Sequence, residues 1–187
     1  MNIKIFAAIA ASAIMLTACG EKIPETPPAV QITADGAQVA NTVNETCWDN
    51  TVYIIDGTAA DWLEQYGDPV YYPDGTTFEV ALPKKNTAPD SVTLTDSVIR
   101  EDGSYKYDKR AAIREIDFNM NENVISFTLD GHPASMLSSQ LSDYESGATL
   151  RCFELKCKWG ENECIYTFCI RSDASVVAYS ESNESNG

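Results

Sequence analysis

The stretches RCFELKCKW at residues 151–159 and CIYTFCIR at residues 164–171 decide the fold of this chain. Both alternate apolar and polar side chains over most of their length, as half-buried β-strands do, and four residues separate them. One antiparallel register pairs like with like: Cys157 with Cys164, Cys152 with Cys169, Phe153 with Phe168, and Leu155 with Tyr166. The two stretches therefore predict a β-hairpin whose register is specified by cysteines and large apolar residues together.

This register divides the four cysteines between the two faces of the hairpin. Cys157 and Cys164 share the apolar face, whereas Cys152 and Cys169 lie five residues away along each strand and fall on the opposite face. Directly opposed residues in antiparallel strands have Cα atoms about 4.5–5.5 Å apart, which is within the range of a disulfide. We therefore predict the disulfides Cys152–Cys169 and Cys157–Cys164.

Turn dipeptides and short β-rich runs extend the prediction to the rest of the domain. Asp-Gly, which favours tight turns, occurs at residues 56–57, 74–75, 102–103 and 130–131. Runs rich in β-branched and aromatic residues lie at 52–55, 77–82, 91–99, 114–120 and 124–129. Short strands at this spacing indicate an all-β fold, and we expect an immunoglobulin-like antiparallel β-sandwich. One short helix is predicted over residues 59–65, with Thr58 as its cap.

A second hairpin is predicted from the alternation of apolar residues in 116–120 and 125–129, with residues 121–124 as the turn. Its predicted pairs are Ile116 with Leu129, Phe118 with Phe127, and Met120 with Ile125. This register puts all six apolar side chains on one face, and a slip of one residue would destroy that separation.

The N-terminal segment has the three parts of a secretion signal. Lys4 supplies a positive charge, and residues 5–16 form an apolar run that is shorter than the about 20 residues needed to cross a bilayer. The sequence Leu16-Thr17-Ala18-Cys19 that follows resembles the lipobox of bacterial lipoproteins. The resemblance implies removal of residues 1–18 as a signal peptide and lipidation of Cys19, which would then anchor the protein in a membrane.

The residue after the cysteine bears on which membrane this is. In the sorting rule of enteric bacteria, Asp at that position favours retention in the inner membrane, and this chain has Gly20. The resemblance therefore implies a lipid-anchored protein of the cell envelope, in the outer membrane. Residues 19–45 contain three prolines and no aromatic residue, so we expect a lipid anchor followed by a disordered, flexible linker. The sandwich domain is predicted over residues 46–179, and a polar tail over residues 180–187.

Export also affects the cysteines, because disulfides form in the oxidising compartments that exported chains enter. Lipidation of Cys19 leaves five of the six cysteines, so two hairpin bridges leave Cys47 over. A competing arrangement links Cys47 to one hairpin cysteine as a bridge between sheets, as in immunoglobulin domains, although Trp48 adjoins Cys47 instead of lying on a following strand. Zinc held by the four hairpin thiolates is a further alternative, but their spacing is wide for zinc ligands, and we expect no metal.

The sequence contains few candidates for catalysis. His132, the only histidine, precedes Pro133 near a predicted turn, and we interpret it as a surface-loop residue. The chain has no glycine-rich phosphate-binding loop, nucleophile elbow or helical zinc motif. We therefore expect no catalytic residue, no cofactor and no enzymatic activity. The abundant Asp and Glu residues leave a carboxylate-dependent hydrolase open as an alternative.

Charge limits the kinds of partner. The formal net charge is −15, and removal of Lys4 with the signal makes it −16. Such a surface repels nucleic acid and anionic membranes and attracts basic proteins. We therefore expect no nucleic-acid partner, and we expect that any protein partner in the envelope is basic.

One segment combines this acidity with aromatic residues: DGTAADWLEQYGDPVYYPDG at residues 56–75. Trp and Tyr dominate binding hot spots because they bury a large area with few rotatable bonds. The predicted partner-binding residues are Asp61, Trp62, Glu64, Tyr66, Tyr71 and Tyr72. The alternative is that these aromatic side chains only cover an open edge of the sandwich.

Taken together, the sequence predicts a membrane-anchored cell-envelope lipoprotein that acts as a non-catalytic binding, adhesive or assembly module. An alternative is a periplasmic inhibitor or immunity protein that neutralises a basic cell-wall-degrading enzyme. Its acidity and the aromatic segment at residues 56–75 would suit that role.

Overall fold

The computed structural model describes residues 23–53, 57–82 and 88–174. The strands in this part of the chain are β1 (Gln31–Ala34), β2 (Ala37–Val39), β3 (Thr42–Trp48), β4 (Thr51–Val52), β5 (Thr77–Ala81), β6 (Ser91–Val98), β7 (Ile113–Glu115), β8 (Asn119–Asn121), β9 (Val124–Thr128), β10 (Thr149–Trp159) and β11 (Asn162–Ser172). The helices are α1 (Thr58–Tyr66) and the single turn α2 (Lys109–Ala112), and two 3-10 turns span Pro133–Leu137 and Leu141–Tyr144.

The strands form two antiparallel sheets that pack face to face. The five-stranded sheet has the order β2-β1-β5-β9-β8, and the six-stranded sheet has the order β4-β3-β11-β10-β6-β7. The prediction of an all-β antiparallel sandwich with one short helix is therefore confirmed. Two antiparallel layers of this kind are the architecture that immunoglobulin-like domains share.

The hairpin of β10 and β11 forms the centre of the six-stranded sheet. All eleven residues of each strand are paired, and the predicted register is confirmed: Cys152 lies opposite Cys169, Phe153 opposite Phe168, Leu155 opposite Tyr166, and Cys157 opposite Cys164. β6 continues the sheet beside β10, and β3 continues it beside β11. Both strands of the hairpin are therefore internal, and every other part of this sheet is built on them.

A stack of phenylalanine rings fills the space between the two sheets. The rings of Phe153 and Phe168 lie 4.9 Å apart at 9°, and Phe78 of β5 lies 6.2 Å and 5.7 Å from them. Phe127 of β9 completes the stack at 5.2 Å from Phe78. Each such aromatic pair contributes about 0.5–1.5 kcal/mol beyond the area that it buries. The stack therefore joins the two sheets at the residues that the sequence pattern assigns to the core.

Helix α1 covers the opposite face of the hairpin. Trp62 packs there with Cys152 and Cys169, and its Nε1 donates a hydrogen bond to the carbonyl oxygen of Ala40 at 3.1 Å. Because the helix covers this face, the outer cysteine pair is as deeply buried as the inner one.

The start of α1 differs from the predicted cap. Gly57 occupies the N-cap position with φ 77°, and within the described part of the chain no side chain caps the helix. Thr58 is the first helical residue, and its hydroxyl donates to the carboxylate of Glu154 on β10. The predicted role of Thr58 as a cap is therefore wrong, because its side chain is used in the contact between helix and sheet.

The cysteines of the described residues all lie on the six-stranded sheet. Cys47 belongs to β3 and is paired with Glu163, one residue away from Cys164 along β11. A bridge from Cys47 to a hairpin cysteine would therefore lie within one sheet, and the immunoglobulin-type alternative of a bridge between sheets is wrong.

The second predicted hairpin has the right register but is shorter than expected. Met120 lies opposite Ile125, as predicted, and the ladder ends at Asn119. The preceding strand β7 pairs with β6 in the other sheet, and the N–H of Ile116 donates to Leu94 O there. The chain crosses between the sheets at this point, so the predicted pairs formed by Ile116 and Phe118 lie outside the β8–β9 ladder.

The chain from residue 31 onward belongs to the sandwich, which corrects the flexible linker predicted through residue 45. Ile32 of β1 is fully buried opposite Val80, and Asp35-Gly36 forms the two-residue turn into β2 with φ 45° and 84°. Composition failed as a guide here because these strands are only four and three residues long and bring few large side chains to the core.

Several predictions fall outside the described residues. These include the signal peptide, Cys19 and the linker up to residue 22, part of the strand predicted at 52–55, and the tail at 180–187. In the parts of the chain that are described, no helix is long and apolar enough to cross a membrane.

The segment before β1 packs along the sandwich, starting from the end at which the β10–β11 turn lies. Ile23 contacts Gly160 in that turn, where an added Cβ would come within 3.1 Å of the Ile23 side chain. Farther along, Glu25 O accepts a hydrogen bond from Trp48 Nε1 at 3.0 Å, and Pro28 O accepts one from the Tyr166 hydroxyl at 2.7 Å. We call this end of the molecule the Gly160 end.

Replacing Ile32 tests whether residues 31–45 are structural. Because Ile32 is fully buried, Ile32→Ala is expected to lower the free energy of unfolding by about 2–5 kcal/mol, measured by urea denaturation. Val52→Ala is the control, since Val52 is 76% exposed and its loss is expected to cost less than about 0.5 kcal/mol. Equal, small effects of both variants would support a linker in this region.

Candidate functional site

A buried ion cluster closes the end of the sandwich at which β10 begins. Asp96 and Arg151 are both fully buried, and the guanidinium of Arg151 binds the carboxylate through Nη2 at 2.5 Å and Nε at 3.1 Å. Arg114 also donates to Asp96, at 3.0 Å, and reaches Asp130 Oδ1 at 2.6 Å. Buried charges are tolerated when they are paired and hydrogen-bonded in this way.

The electrostatics of Asp96 follow from these contacts. Burial by itself raises the pKa of this carboxyl group, but the charge and hydrogen bonds of Arg151 outweigh that effect, with further contributions from His132 and Arg114. The pKa of Asp96 is therefore held below its usual value, and the group is ionised at neutral pH. An enclosed carboxylate between two arginines acts as an ion-pair partner and is poorly suited to act as an acid or base.

His132 belongs to this cluster, so its interpretation as a surface-loop residue is wrong. It is 1% exposed and begins the 3-10 turn Pro133–Leu137, where its Nδ1 accepts the N–H of Ala134 at 3.0 Å. Its Nε2 lies 4.0 Å from Asp96 Oδ2 and has no hydrogen-bond partner among the described residues. Burial lowers the pKa of His132, and the two arginine charges lower it further against the opposing charge of Asp96.

The cluster supports a loop that exposes apolar side chains to solvent. The exposed fractions are 88% for Leu141, 58% for Leu137, 39% for Met136 and 37% for Tyr144. The Tyr144 hydroxyl lies 3.0 Å from Met136 O and 2.6 Å from Ser138 O, and Asp143 pairs with Lys106 at 2.8 Å. These contacts cross-link the loop internally and to the segment that follows β6, so its apolar side chains are exposed on an ordered support.

The predicted binding residues of the 56–75 segment divide into two groups. Asp61, Glu64, Tyr66 and Tyr71 are exposed, whereas Trp62 is buried and Tyr72 is half-buried. The Trp62 ring lies 5.1 Å from that of Tyr66, and Tyr72 packs edge-on against the core ring of Phe78 at 5.3 Å. Trp62 and Tyr72 pack beneath the segment, which leaves the side chains of the other four exposed to solvent.

This segment and the apolar loop meet at the same end of the molecule. The Tyr71 hydroxyl donates to Asp173 Oδ2 at 2.9 Å, and Asp173 Oδ1 accepts the N–H of Gly147 at 3.0 Å. Gly147 has φ 73°, and a Cβ there would lie 3.3 Å from the Tyr71 ring. Arg171 nearby binds Asp68 at 2.7 Å and Glu101 at 3.0 Å.

We call this surface the loop end. Its exposed apolar and aromatic side chains are Val70, Tyr71, Met136, Leu137, Leu141 and Tyr144, and its exposed acidic side chains are Asp68, Glu101 and Glu145. The sequence around residues 133–144 contains only isolated Met and Leu residues among serines, and no periodicity marks them as exposed. Of the residues that form the loop end, only Tyr71 was among the predicted partner-binding residues, and the apolar side chains were missed for this reason.

A groove of about 660 Å³ lies on the outer face of the six-stranded sheet, between α1 and the 102–105 loop. Thr58, Ser97, Tyr105 and Glu154 are among its lining residues. In the described residues no group of three or more His, Cys, Asp or Glu side chains is placed to hold a metal ion.

Comparison with protein-family models, with curated proteins and with solved structures gives no match for this chain. Functional inference therefore depends on the geometry of the described residues. That geometry defines an exposed surface of apolar, aromatic and acidic groups, built over an enclosed ion cluster.

The pH dependence of stability tests the placement of His132, the only histidine. Because the folded state holds the pKa of His132 below its unfolded value, the unfolded chain binds the proton first as the pH falls. The free energy of unfolding is therefore expected to decrease below about pH 6.5, by at most about 1.4 kcal/mol per pH unit. The stability that depends on the neutral, buried imidazole is present in full above that pH, and denaturant titrations from pH 7.5 to 5 measure its loss.

The matched variant is His132→Asn, which keeps a side-chain acceptor for the Ala134 N–H but does not titrate in this range. We expect a flatter profile for the variant, whatever its stability at pH 7.5. Identical slopes for both proteins would mean that His132 is not buried in its neutral form.

Proposed function

We propose that this chain is a cell-envelope lipoprotein that is anchored to the outer membrane through Cys19 and binds a basic protein partner without catalysing a reaction. The lipobox-like sequence at residues 16–19 supports the anchor, and the net charge of −15 supports the basic partner. The loop end supplies a surface of the composition that protein interfaces use.

The proposal depends above all on one observation, the exposed acidic and aromatic surface of α1 and the residues that follow it. Asp61, Glu64, Tyr66 and Tyr71 are all exposed, and residues 57–75 contain no Lys or Arg. Tyrosine contributes large contact areas at low entropic cost, and surrounding carboxylates attract a basic partner and raise its association rate. The buried side chain of Trp62 gives these residues a fixed support.

The two hairpin disulfides are part of the same proposal, because an exported protein folds under oxidising conditions. The five described cysteines are free thiols in the structure. Two observations support the proposed disulfides. The strand register places the two cysteines of each pair directly opposite each other, and the side chains of Cys152 and Cys169 are in contact. Burial raises the pKa of Cys164 to about 11, which disfavours the thiolates that zinc would need.

Mass mapping of the exported protein, digested without reduction, tests this pairing. We expect one peptide pair joined through Cys152 and Cys169, a second joined through Cys157 and Cys164, and alkylation of Cys47. Detection of Cys47 in any bridge would contradict the proposed connectivity.

A second candidate function, inhibition of a basic cell-wall-degrading enzyme, is favoured by one observation. Leu141 is 88% exposed on a cross-linked loop, and a protruding apolar residue on such a support suits insertion into an enzyme cleft. Reduced lysis of cell walls by a basic muramidase in the presence of the protein would favour this candidate over an adhesive or assembly role. The carboxylate-dependent hydrolase stays a prediction.

Charge reversal on α1 tests the proposed binding surface. Glu64→Lys is expected to weaken capture of the partner from envelope extract by at least about tenfold at low salt, with a smaller loss at high salt. Glu115→Lys is the control, since Glu115 is also exposed but lies on the edge strand β7.

Parallel quantitative capture with the wild-type protein and both variants gives the measurement. An equal effect of the two variants would mean that only net charge matters.

Cys19→Ala tests the anchor separately, and unchanged membrane fractionation of that variant would contradict lipidation.

A further inference from the structure

The distance between the proposed lipid anchor and the folded domain is short. Three residues separate Cys19 from Ile23, the first described residue. In any conformation, these four peptide units span at most about 14 Å. If Cys19 carries acyl chains in the bilayer, Ile23 must therefore lie close to the membrane surface.

Ile23 is fixed to one end of the sandwich. It contacts Gly160 in the β10–β11 turn, and the carbonyl of Glu25 accepts a hydrogen bond from Trp48. Trp48 in turn packs against Trp159, the last residue of β10, with the ring centroids 6.1 Å apart. The Gly160 end is consequently the part of the domain nearest the anchor.

The loop end lies at the other end of the same strands. β10 runs from Thr149 beside the apolar loop to Trp159 beside the Gly160 turn, over eleven residues. At about 3.3 Å per residue this strand is about 33 Å long. The anchor span of about 14 Å is too short to let the domain turn over and bring Leu141 to the bilayer.

We propose that the lipid anchor holds the Gly160 end against the membrane and presents the loop end, about 30 Å farther out, to a protein partner. This inference rests on the proposed function, because it requires lipidation of Cys19. It goes further in assigning the exposed apolar residues of the loop to a partner protein instead of to the bilayer.

The chemistry of the loop end describes that partner. Leu137 and Leu141 require an apolar cleft. The three exposed carboxylates of the loop end, Asp68, Glu101 and Glu145, outnumber the one Arg171 that pairs with the first two, so they favour basic residues at the rim of that cleft. A bilayer with anionic headgroups would repel the same carboxylates. The occupant is therefore a protein with an apolar cleft bordered by Lys or Arg.

The two methionines of the mature chain offer a test of orientation without mutation. Met120 is one residue from the β8–β9 turn, on the side of the Gly160 end, and Met136 is in the apolar loop. Their exposed fractions, 38% and 39%, are nearly identical. The experiment measures the methyl NMR signals of the lipidated, methionine-labelled protein in lipid nanodiscs whose headgroups carry gadolinium.

We expect severalfold greater signal loss for Met120 than for Met136, because paramagnetic relaxation falls steeply with distance. Greater loss at Met136 would show that the loop faces the lipid, and equal loss would show no fixed orientation; either result would overturn the inference. The mass of the purified protein distinguishes failure of this inference from failure of the proposed function. If the acyl mass is absent from Cys19, the proposed lipid anchor itself is contradicted.

The partner surface is tested with Leu141→Ser and the matched variant Val52→Ser. Both side chains are exposed, at 88% and 76%, but Val52 lies on the edge strand β4, one residue from Thr51 opposite Trp48. The probe is the basic protein that the wild-type chain captures from envelope extract. We expect its affinity to fall at least about tenfold for Leu141→Ser and to be unchanged for Val52→Ser, as for a hot spot against a neutral position. Unchanged affinity of the Leu141→Ser variant would overturn the assignment to a partner protein. Self-association of the wild-type chain that Leu141→Ser abolishes would overturn it as well.

Discussion

The pairing of β10 with β11 is the constraint on which the rest of the structure depends. A single register sends Phe153 and Phe168 into the stack between the sheets and sends Cys152 and Cys169 to the face beneath α1. It also sets Arg151 on the core side, where it reaches Asp96. A shift of one residue would exchange the two faces and destroy all three arrangements together.

The ion cluster joins three strands of the six-stranded sheet through paired, largely buried charges. A buried ion pair often contributes little compared with an apolar replacement, yet loss of one partner costs about 3–5 kcal/mol because a charge is left unpaired. Here Asp96, on one strand, is held by arginines from two others. The cluster therefore fixes the strands relative to one another at the end where His132 begins the apolar loop.

The sequence predicted those parts of the molecule in which local pattern and tertiary structure agree. The hairpin at residues 151–171 alternates over a long stretch, so its register could be derived, and the turn of the β8–β9 hairpin followed for the same reason. β1 and β2 were missed because they are short, although Asp35-Gly36 between them is a hairpin signal that could have found them.

The proposed binding surface shows the same limit. Asp61, Glu64, Tyr66 and Tyr71 were predicted as binding residues because acids and aromatic residues are adjacent in the sequence, and all four side chains are exposed. The burial of His132 depends on Asp96 and Arg151, which are separated by 55 residues, and no local pattern reveals such a contact. Trp62 could not be assigned to the interior until the helix was seen to cover the outer face of the hairpin.

We propose that a short N-terminal connection holds one end of the sandwich at the membrane and that the other end binds a protein. Site-specific photocrosslinking in intact cells tests this most directly, with a photoreactive phenylalanine analogue at position 141 or at position 52. The account predicts a discrete protein adduct from position 141 that position 52 does not give. The same adducts from both positions, or only lipid adducts from position 141, would contradict it.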